Sequence, residues 1–132
     1  MLTLDHVAIE VSNMDTSIAF YTQKLGLELM FDKTDVEHHE RFAFLKLDGG
    51  NLELLQPLDE SNQPKPFVPI ELRASNCPHI ALVAEDLDAL MSKVAQENIP
   101  VLKGPLEIPG QVRWVYLLDP DNNILEFVQW FH

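Results

Sequence analysis

The chain has 132 residues, 46% of them hydrophobic, and a formal net charge of −12 with nine Lys and Arg, which suits one compact domain. Nucleic acid is excluded as a partner, because binding phosphates needs clustered cations and the nine here are scattered. The same field disfavours a polyanionic substrate unless local cations or a metal offset it.

No run of about 18 apolar residues occurs, and Met1-Leu2-Thr3-Leu4-Asp5 lacks the basic flank and apolar stretch of a signal peptide, so a cytoplasmic protein with no membrane partner is expected. Cys77 is the single cysteine and cannot form an internal disulfide; it is expected to be a small, partly buried strand residue.

Leu4 to Val11 alternates like a strand, with Val7, Ile9 and Val11 on one face and His6, Ala8 and Glu10 on the other. Asn13 to Asp15 supplies capping residues, and Met14, Ile18, Tyr21 and Leu25 recur at helical spacing before Gly26 stops a helix of about three turns. Leu27 to Asp32, Arg41 to Leu47 and Asn51 to Gln56 read as strands, the last two joined through Asp48-Gly49-Gly50. Pro57, Pro64, Pro66, Pro69 and Pro78 then argue against any regular element throughout the stretch, and an ordered linker is expected over about 58–77.

The order repeats after the linker: strand Ile80 to Ala84, helix Leu87 to Gln96, then strands near Ile99 to Leu102, Val112 to Leu118 and Ile124 to Trp130. A single domain over 1–132 is therefore read as two modules, about 1–57 and about 78–132. Leu87, Leu90, Met91, Val94 and Ala95 form one helix face, for which core packing is a sufficient account. Trp130-Phe131-His132 could cover the core or form a subunit contact.

The two halves match at an offset of 73 residues (79 less 6, and 126 less 53), which sets His6 on His79 and Glu53 on Glu126. Within each half the histidine precedes the glutamate by 47 residues (53 less 6, and 126 less 79). A lone strand histidine is more often a hydrogen-bonded structural residue than a ligand. The glutamates are more telling: Leu52 and Leu54 flank one, Leu125 and Phe127 the other. A carboxylate inside an apolar strand must reach solvent, pair with a cation or bind a metal. Imidazole nitrogen and carboxylate oxygen suit Zn, Ni, Co, Mn or Fe, so His6, Glu53, His79 and Glu126 are the candidate metal ligands. The bland alternative is four structural relics of a duplication.

Glu37-His38-His39-Glu40 also resembles a metal cluster but falls between two strands and has no counterpart in the second half, so it is read as a solvated loop. There is no Gly-rich phosphate loop, and no nucleophile pair has support beyond composition.

Asp5-His6, Ser17-Ile18-Ala19-Phe20-Tyr21 with Leu25-Gly26-Leu27, Pro78-His79-Ile80-Ala81, and Asp119-Pro120-Asp121-Asn122-Asn123-Ile124-Leu125-Glu126 together resemble the vicinal oxygen chelate superfamily of glyoxalase I, methylmalonyl-CoA epimerase, extradiol dioxygenases and bleomycin resistance proteins. The resemblance spans Leu2 to Trp130. It implies an α+β fold in which two tandem βαβββ modules form a curled mixed sheet around a metal-binding cleft, and it implies a homodimer. In glyoxalase-like and epimerase-like members four ligands come from the positions of His6, Glu53, His79 and Glu126, supplied by one chain or by two. Dioxygenases are similar but use two histidines and one glutamate, and bleomycin-binding relatives generally lack the set.

The resemblance further implies a divalent metal ion as cofactor, a small-molecule substrate, and proton transfer through an enediolate with Glu126 or Glu53 as catalytic base, Glu126 foremost. The product class is that of a lyase or isomerase, acting on a thiol adduct, a thioester or another small oxygenated metabolite. Two departures bear on substrate. Glu10 stands where glyoxalase I proteins often carry an arginine for glutathione, and Glu53 stands where epimerases usually carry glutamine. Asn122 replaces a turn glycine, which asparagine tolerates. The alternatives are a binding protein that sequesters a cationic ligand and a ferrous extradiol dioxygenase.

Overall fold

A computed structural model describes residues 1–69, 71–72 and 78–131. Cys77 and His132 lie outside the described residues. Two compact units divide the chain, Met1–Val68 and Pro69–His132.

The first unit runs β1 (His6–Glu10), α1 (Met14–Ala19), a π-helical turn (Phe20–Lys24), β2 (Glu28–Asp35), β3 (Glu40–Lys46) and β4 (Asn51–Pro57). Asn13 caps α1 by accepting from the Thr16 amide at 3.1 Å, which satisfies one of the free donors at a helix start. After Ala19 the helix widens: Leu25 N–H donates to the Phe20 carbonyl, five residues back, at 3.2 Å. The Thr22 hydroxyl donates to the Ile18 carbonyl at 2.7 Å, competing for the acceptor a regular α-turn would use. The expected three-turn helix is thus α-helical only in its first part.

The strands order β1-β4-β3-β2, with β1 parallel to β4 and the other pairs antiparallel. Alternation divides β4 into a buried face of Leu52, Leu54 and Gln56 and a half-buried face of Asn51, Glu53 and Leu55. The helical segment covers the first face, where Val11, Met14, Phe20, Tyr21, Ala43, Leu45, Leu52 and Leu54 form the core. Burying a large aliphatic side chain contributes roughly 1.5–3 kcal/mol.

The second unit repeats the order as β5 (Ile80–Val83), α2 (Leu87–Gln96), β6 (Val101–Ile108), β7 (Val112–Leu118) and β8 (Ile124–Trp130), with strand order β5-β8-β7-β6. Asp86 caps α2 through the Ala89 amide at 3.0 Å, and Asn98, at φ 53°, ends it in the left-handed conformation asparagine tolerates. Leu87, Val94, Val115, Leu117, Leu125 and Phe127 lead its core.

One anchor occurs in both units. The Gln56 side chain accepts from the Met14 amide at 3.2 Å and donates to the Ser12 carbonyl at 2.9 Å. Gln129 likewise accepts from the Leu87 amide at 2.9 Å. Each ties the first residue of a helix to the strand that comes last in chain order in its sheet.

Three expectations are corrected. The single curled mixed sheet around a cleft does not occur: the strands make two separate four-stranded sheets, each open. The reason is hydrogen bonding, because β1 finds its ladder partner in β4 and β5 in β8, and no ladder among the described residues joins the sheets. Next, β6 extends to Ile108, well past the expected end near Leu102. Between the pairs Lys103↔Tyr116 and Leu106↔Trp114 its register gains a residue, and this bulge accommodates Pro105, which has no amide hydrogen for the ladder. Finally, β2 runs to Asp35 rather than Asp32.

Within the linker, Asp59 accepts from the Ser61 and Gln63 amides at 2.8 and 2.9 Å, and Leu58 bridges to Pro64. Trp130 and Phe131 are 53% and 40% exposed and so do not close the core of their unit. Among the described residues no helix is long and apolar enough to cross a membrane.

Candidate metal centre

In the first unit the side chains opposite the helix belong to alternate residues of adjacent strands. Ala8 pairs with Glu53 and Glu53 with Phe44, and His6 lies two residues before Ala8 on the same face of β1. His6 Nε2 stands 3.7 Å from Glu53 Oε1, and the imidazole tilts against Phe44 at a centroid distance of 5.0 Å. Its other nitrogen, Nδ1, is 2.6 Å from Asp5 Oδ2. This hydrogen bond raises the His6 pKa above its ordinary 6.5; desolvation opposes the rise, and the Glu53 and Asp5 charges add to it.

The second unit rebuilds the pair. Ala81 pairs with Glu126 and Glu126 with Tyr116. His79 Nε2 lies 3.6 Å from Glu126 Oε2, and its ring meets Tyr116 edge-on at 5.4 Å. The burial also matches: the histidine side chains are 37% and 36% exposed and the glutamates 16% and 18%. Each glutamate is therefore screened from bulk water while its histidine stays open to an incoming ligand. Pro78 occupies the position that Asp5 holds in the first unit.

Both nitrogen–oxygen separations exceed the usual hydrogen-bond range of about 3.2 Å. They are close to the gap of about 3.4 Å between two donors held tetrahedrally on one cation at about 2.0–2.1 Å. The donor chemistry and spacing of each pair thus fit a borderline divalent ion. The structure brings His6 to Glu53 and His79 to Glu126, while among the described residues no group of three His, Cys, Asp or Glu side chains forms a metal-holding cluster.

The Glu37-His38-His39-Glu40 stretch falls on the turn at 36–39 and the start of β3. His38 Nδ1 contacts Asp35 Oδ2 at 2.8 Å and His39 Nδ1 contacts Asn62 Oδ1 at 2.8 Å. His38 is thus engaged with the end of β2 and His39 with the segment that follows β4.

Phe44 and Tyr116, which flank the two imidazoles, escaped the repeat at 73. The turn between β3 and β4 occupies 47–50 and that between β7 and β8 occupies 119–123, so the earlier strands correspond at an offset of 72 (116 less 44). A repeat search that allowed one inserted residue at this turn would align them. The longer turn is held by Asp119, whose carboxylate accepts from the Asp121 and Asn123 amides at 2.9 and 2.8 Å. Asn122 there has φ 64°, in keeping with its place at a glycine position.

The family model for the Glyoxalase/Bleomycin resistance protein/Dioxygenase superfamily matches residues 3–127. Among curated relatives, the ethylmalonyl-CoA/methylmalonyl-CoA epimerase of Cereibacter sphaeroides is 29% identical over 120 residues, covering 90% of this chain and 89% of the relative. The virulence protein STM3117 of Salmonella typhimurium is 25% identical over 130 residues, covering 96% and 83% respectively. In fold, the chain is similar to a glyoxalase family protein from Bacillus cereus with a TM-score of 0.81 at 16% identity, over 100% of this chain and 96% of that one. The chain belongs to the Glyoxalase/Bleomycin resistance protein/Dioxygenase superfamily.

Proposed function

We propose that the protein is a metal-dependent, glyoxalase-like lyase or isomerase that moves a proton next to a carbonyl of a small oxygenated metabolite. The observation that carries this reading is the twice-built pair of a half-exposed imidazole and a mostly buried carboxylate, at 3.7 Å in one unit and 3.6 Å in the other. A bound Zn, Ni, Co, Mn or Fe ion would withdraw charge from substrate oxygens and make the neighbouring carbon acidic.

His6 and His79 would hold that ion through neutral Nε2 atoms, and Glu53 and Glu126 would supply charge-balancing oxygens. Glu126 takes the proton from carbon and returns it, and Glu53 is the second candidate for that role. The Glu126 side chain is itself only 18% exposed, which limits the water that would otherwise compete for the proton. The likeness to an acyl-CoA epimerase extends the candidate substrates to acyl thioesters alongside thiol adducts of 2-oxoaldehydes. A cytoplasmic homodimer belongs to the same reading.

The test combines metal analysis of dialysed protein with a screen of 2-oxoaldehydes plus different thiols, and of acyl thioesters, after reconstitution with each ion. His6→Ala and His79→Ala should each weaken metal binding, whereas Glu126→Gln should lose turnover far more than occupancy. Glu126→Gln protein that holds its metal and turns over at the parent rate would exclude Glu126 as base. The charge of −12 favours one second reading, sequestration of a cationic ligand. Protein that takes up no divalent ion yet is thermally stabilised by such a ligand would establish it instead.

A further inference from the structure

Strand alternation places Phe42 and Phe44 of β3 on the sheet face of Glu53, because Phe44 pairs with Glu53 and Phe42 with Leu55. Across the next ladder Phe31 of β2 pairs with Phe44, and Lys33 with Phe42. The helix takes the other face, where Arg41 joins Asp32 of β2 to Asp15 of α1. All three phenylalanines are half-buried. They adjoin the first His–Glu pair directly, since the His6 ring meets Phe44 at 5.0 Å.

The rings are ordered. Phe31 and Phe44 stack with 21° between their planes and 4.8 Å between centroids, which matches the spacing of neighbouring strands. Their faces are thus turned to each other, and their C–H rims form the open side of the patch. Phe42 crosses them at 83° and 77°, and Lys33 Nζ, 5.1 Å from the Phe31 centroid, bounds the patch on its outer side. An aromatic ring is negative on its faces and positive at its rim. A row of outward rims therefore receives the face of a further aromatic ring, and offers no such match to a saturated one. Duplication does not account for the patch: where Phe31 opposes Phe44, the second unit sets Lys103 opposite Tyr116.

We infer that Phe31, Phe42 and Phe44 form the binding surface for an aromatic group of the substrate, which is a carbonyl compound with an aryl group on or next to the reacting carbon. This rests on the metal-dependent reading above and narrows its substrate class. The reach is suitable: β3 lies beside β4, so a ring attached to the carbon whose oxygens face His6 and Glu53 needs to extend only about 5 Å to lie on Phe44.

Three hydroxamates test this on the full chain loaded with zinc, or with whichever of Ni, Co, Mn and Fe it takes up. Acetohydroxamate, cyclohexanecarbohydroxamate and benzohydroxamate offer a metal the same two oxygens and differ only in the attached group. By calorimetry, benzohydroxamate should bind at least about 10-fold more tightly than acetohydroxamate, and also more tightly than the cyclohexyl compound. Benzohydroxamate should shift the NMR signals of the Phe31 and Phe42 rings, and acetohydroxamate should leave them in place. Replacing both rings, Phe31→Leu with Phe42→Leu, keeps the positions apolar and leaves His6, Phe44 and Glu53 intact. It should preserve the acetohydroxamate affinity and remove most of the advantage of the aryl compound.

A metal-loaded parent that binds the three compounds alike, binds none of them or prefers the cyclohexyl compound overturns the aryl surface and leaves the metal-dependent reading in place. An aryl advantage that survives the double substitution, in protein shown by circular dichroism to be folded, also overturns it. If the double variant does not fold, the parent's order of affinities and the ring shifts decide. A parent that takes up no divalent ion, measured first, overturns the functional reading and the narrowed substrate class with it.

Discussion

Replacing Gln56 with Met separates hydrogen bonding from packing at the point where helix meets sheet. Gln56 is 5% exposed and Met14, whose amide it caps, is 1% exposed. Met matches Gln closely in length and volume, so no cavity forms. What is lost is the acceptor for the Met14 amide and the donor to the Ser12 carbonyl. A buried donor left without a partner costs about 1–3 kcal/mol, and a half-buried carbonyl adds less, giving about 2–3 kcal/mol in total. That corresponds to a fall in Tm on the order of 10 °C for a chain of this size. Gln129→Met removes the equivalent bond to the Leu87 amide. Gln129 is only half-buried, so water can replace its oxygen, and the cost should be nearer about 1 kcal/mol. Urea unfolding followed by circular dichroism would measure both, with an unchanged m-value confirming comparable unfolding. A Gln56→Met protein within about 0.5 kcal/mol of the parent, or a costlier Gln129→Met, would refute the argument.

Asp119→Ala should be more damaging than most single changes, about 2–4 kcal/mol by urea midpoint, because it strands the Asp121 and Asn123 amides and the Asn123 side chain, all bonded to a carboxylate only 3% exposed. Arg41→Met should cost about 1 kcal/mol and Arg113→Met measurably less, since Arg41 grips Asp32 at 2.7 and 3.0 Å and also reaches Asp15, whereas Arg113 meets the exposed Asp88 through one bond. The His38 ring, helped by its own amide, holds the Asp35 carboxyl below its ordinary value of 3.8. The resulting stabilisation is complete above 3.8 and is lost as pH falls through the lower folded value. A carboxyl 13C titration of Asp35 should therefore have its midpoint below 3.8, and His38→Ala should move it upward; an unmoved midpoint would deny the pair any influence.

The helices and the strands with strict alternation were legible because burial imposes its period directly on the sequence. Leu52 and Leu54 face the core and Glu53 does not, and the same rule separates Leu125 and Phe127 from Glu126. The neighbourhood of each histidine and its glutamate was visible as an equal spacing in the two halves. Phe44 and Tyr116 were not, since a one-residue difference in turn length moves them off the common offset and strand faces invert with every single-residue slip. The far half of β6 was lost because Pro105 reads as a strand terminator until a bulge is known to absorb it. The arrangement of sheets was not legible at all. Pattern assigns a face to each side chain but does not dictate whether the last strand of one ladder continues into the next.

Open sheets have margins, and the margins here are unequally guarded. β2 carries Glu28, Asp32, Lys33 and Asp35, and β6 carries Lys103, Pro105 and Glu107 together with a bulge. Charge, proline and irregularity all discourage a foreign strand from adding on. β1 and β5 lack these guards: between His6 and Glu10 the former is Val-Ala-Ile, and the latter is Ile-Ala-Leu-Val with Val83 73% exposed. Their defence is brevity, five residues and four. During folding or prolonged storage, aggregation would start from these two short margins, so a preparation would be protected by shielding them and would gain little from changes at β2 or β6.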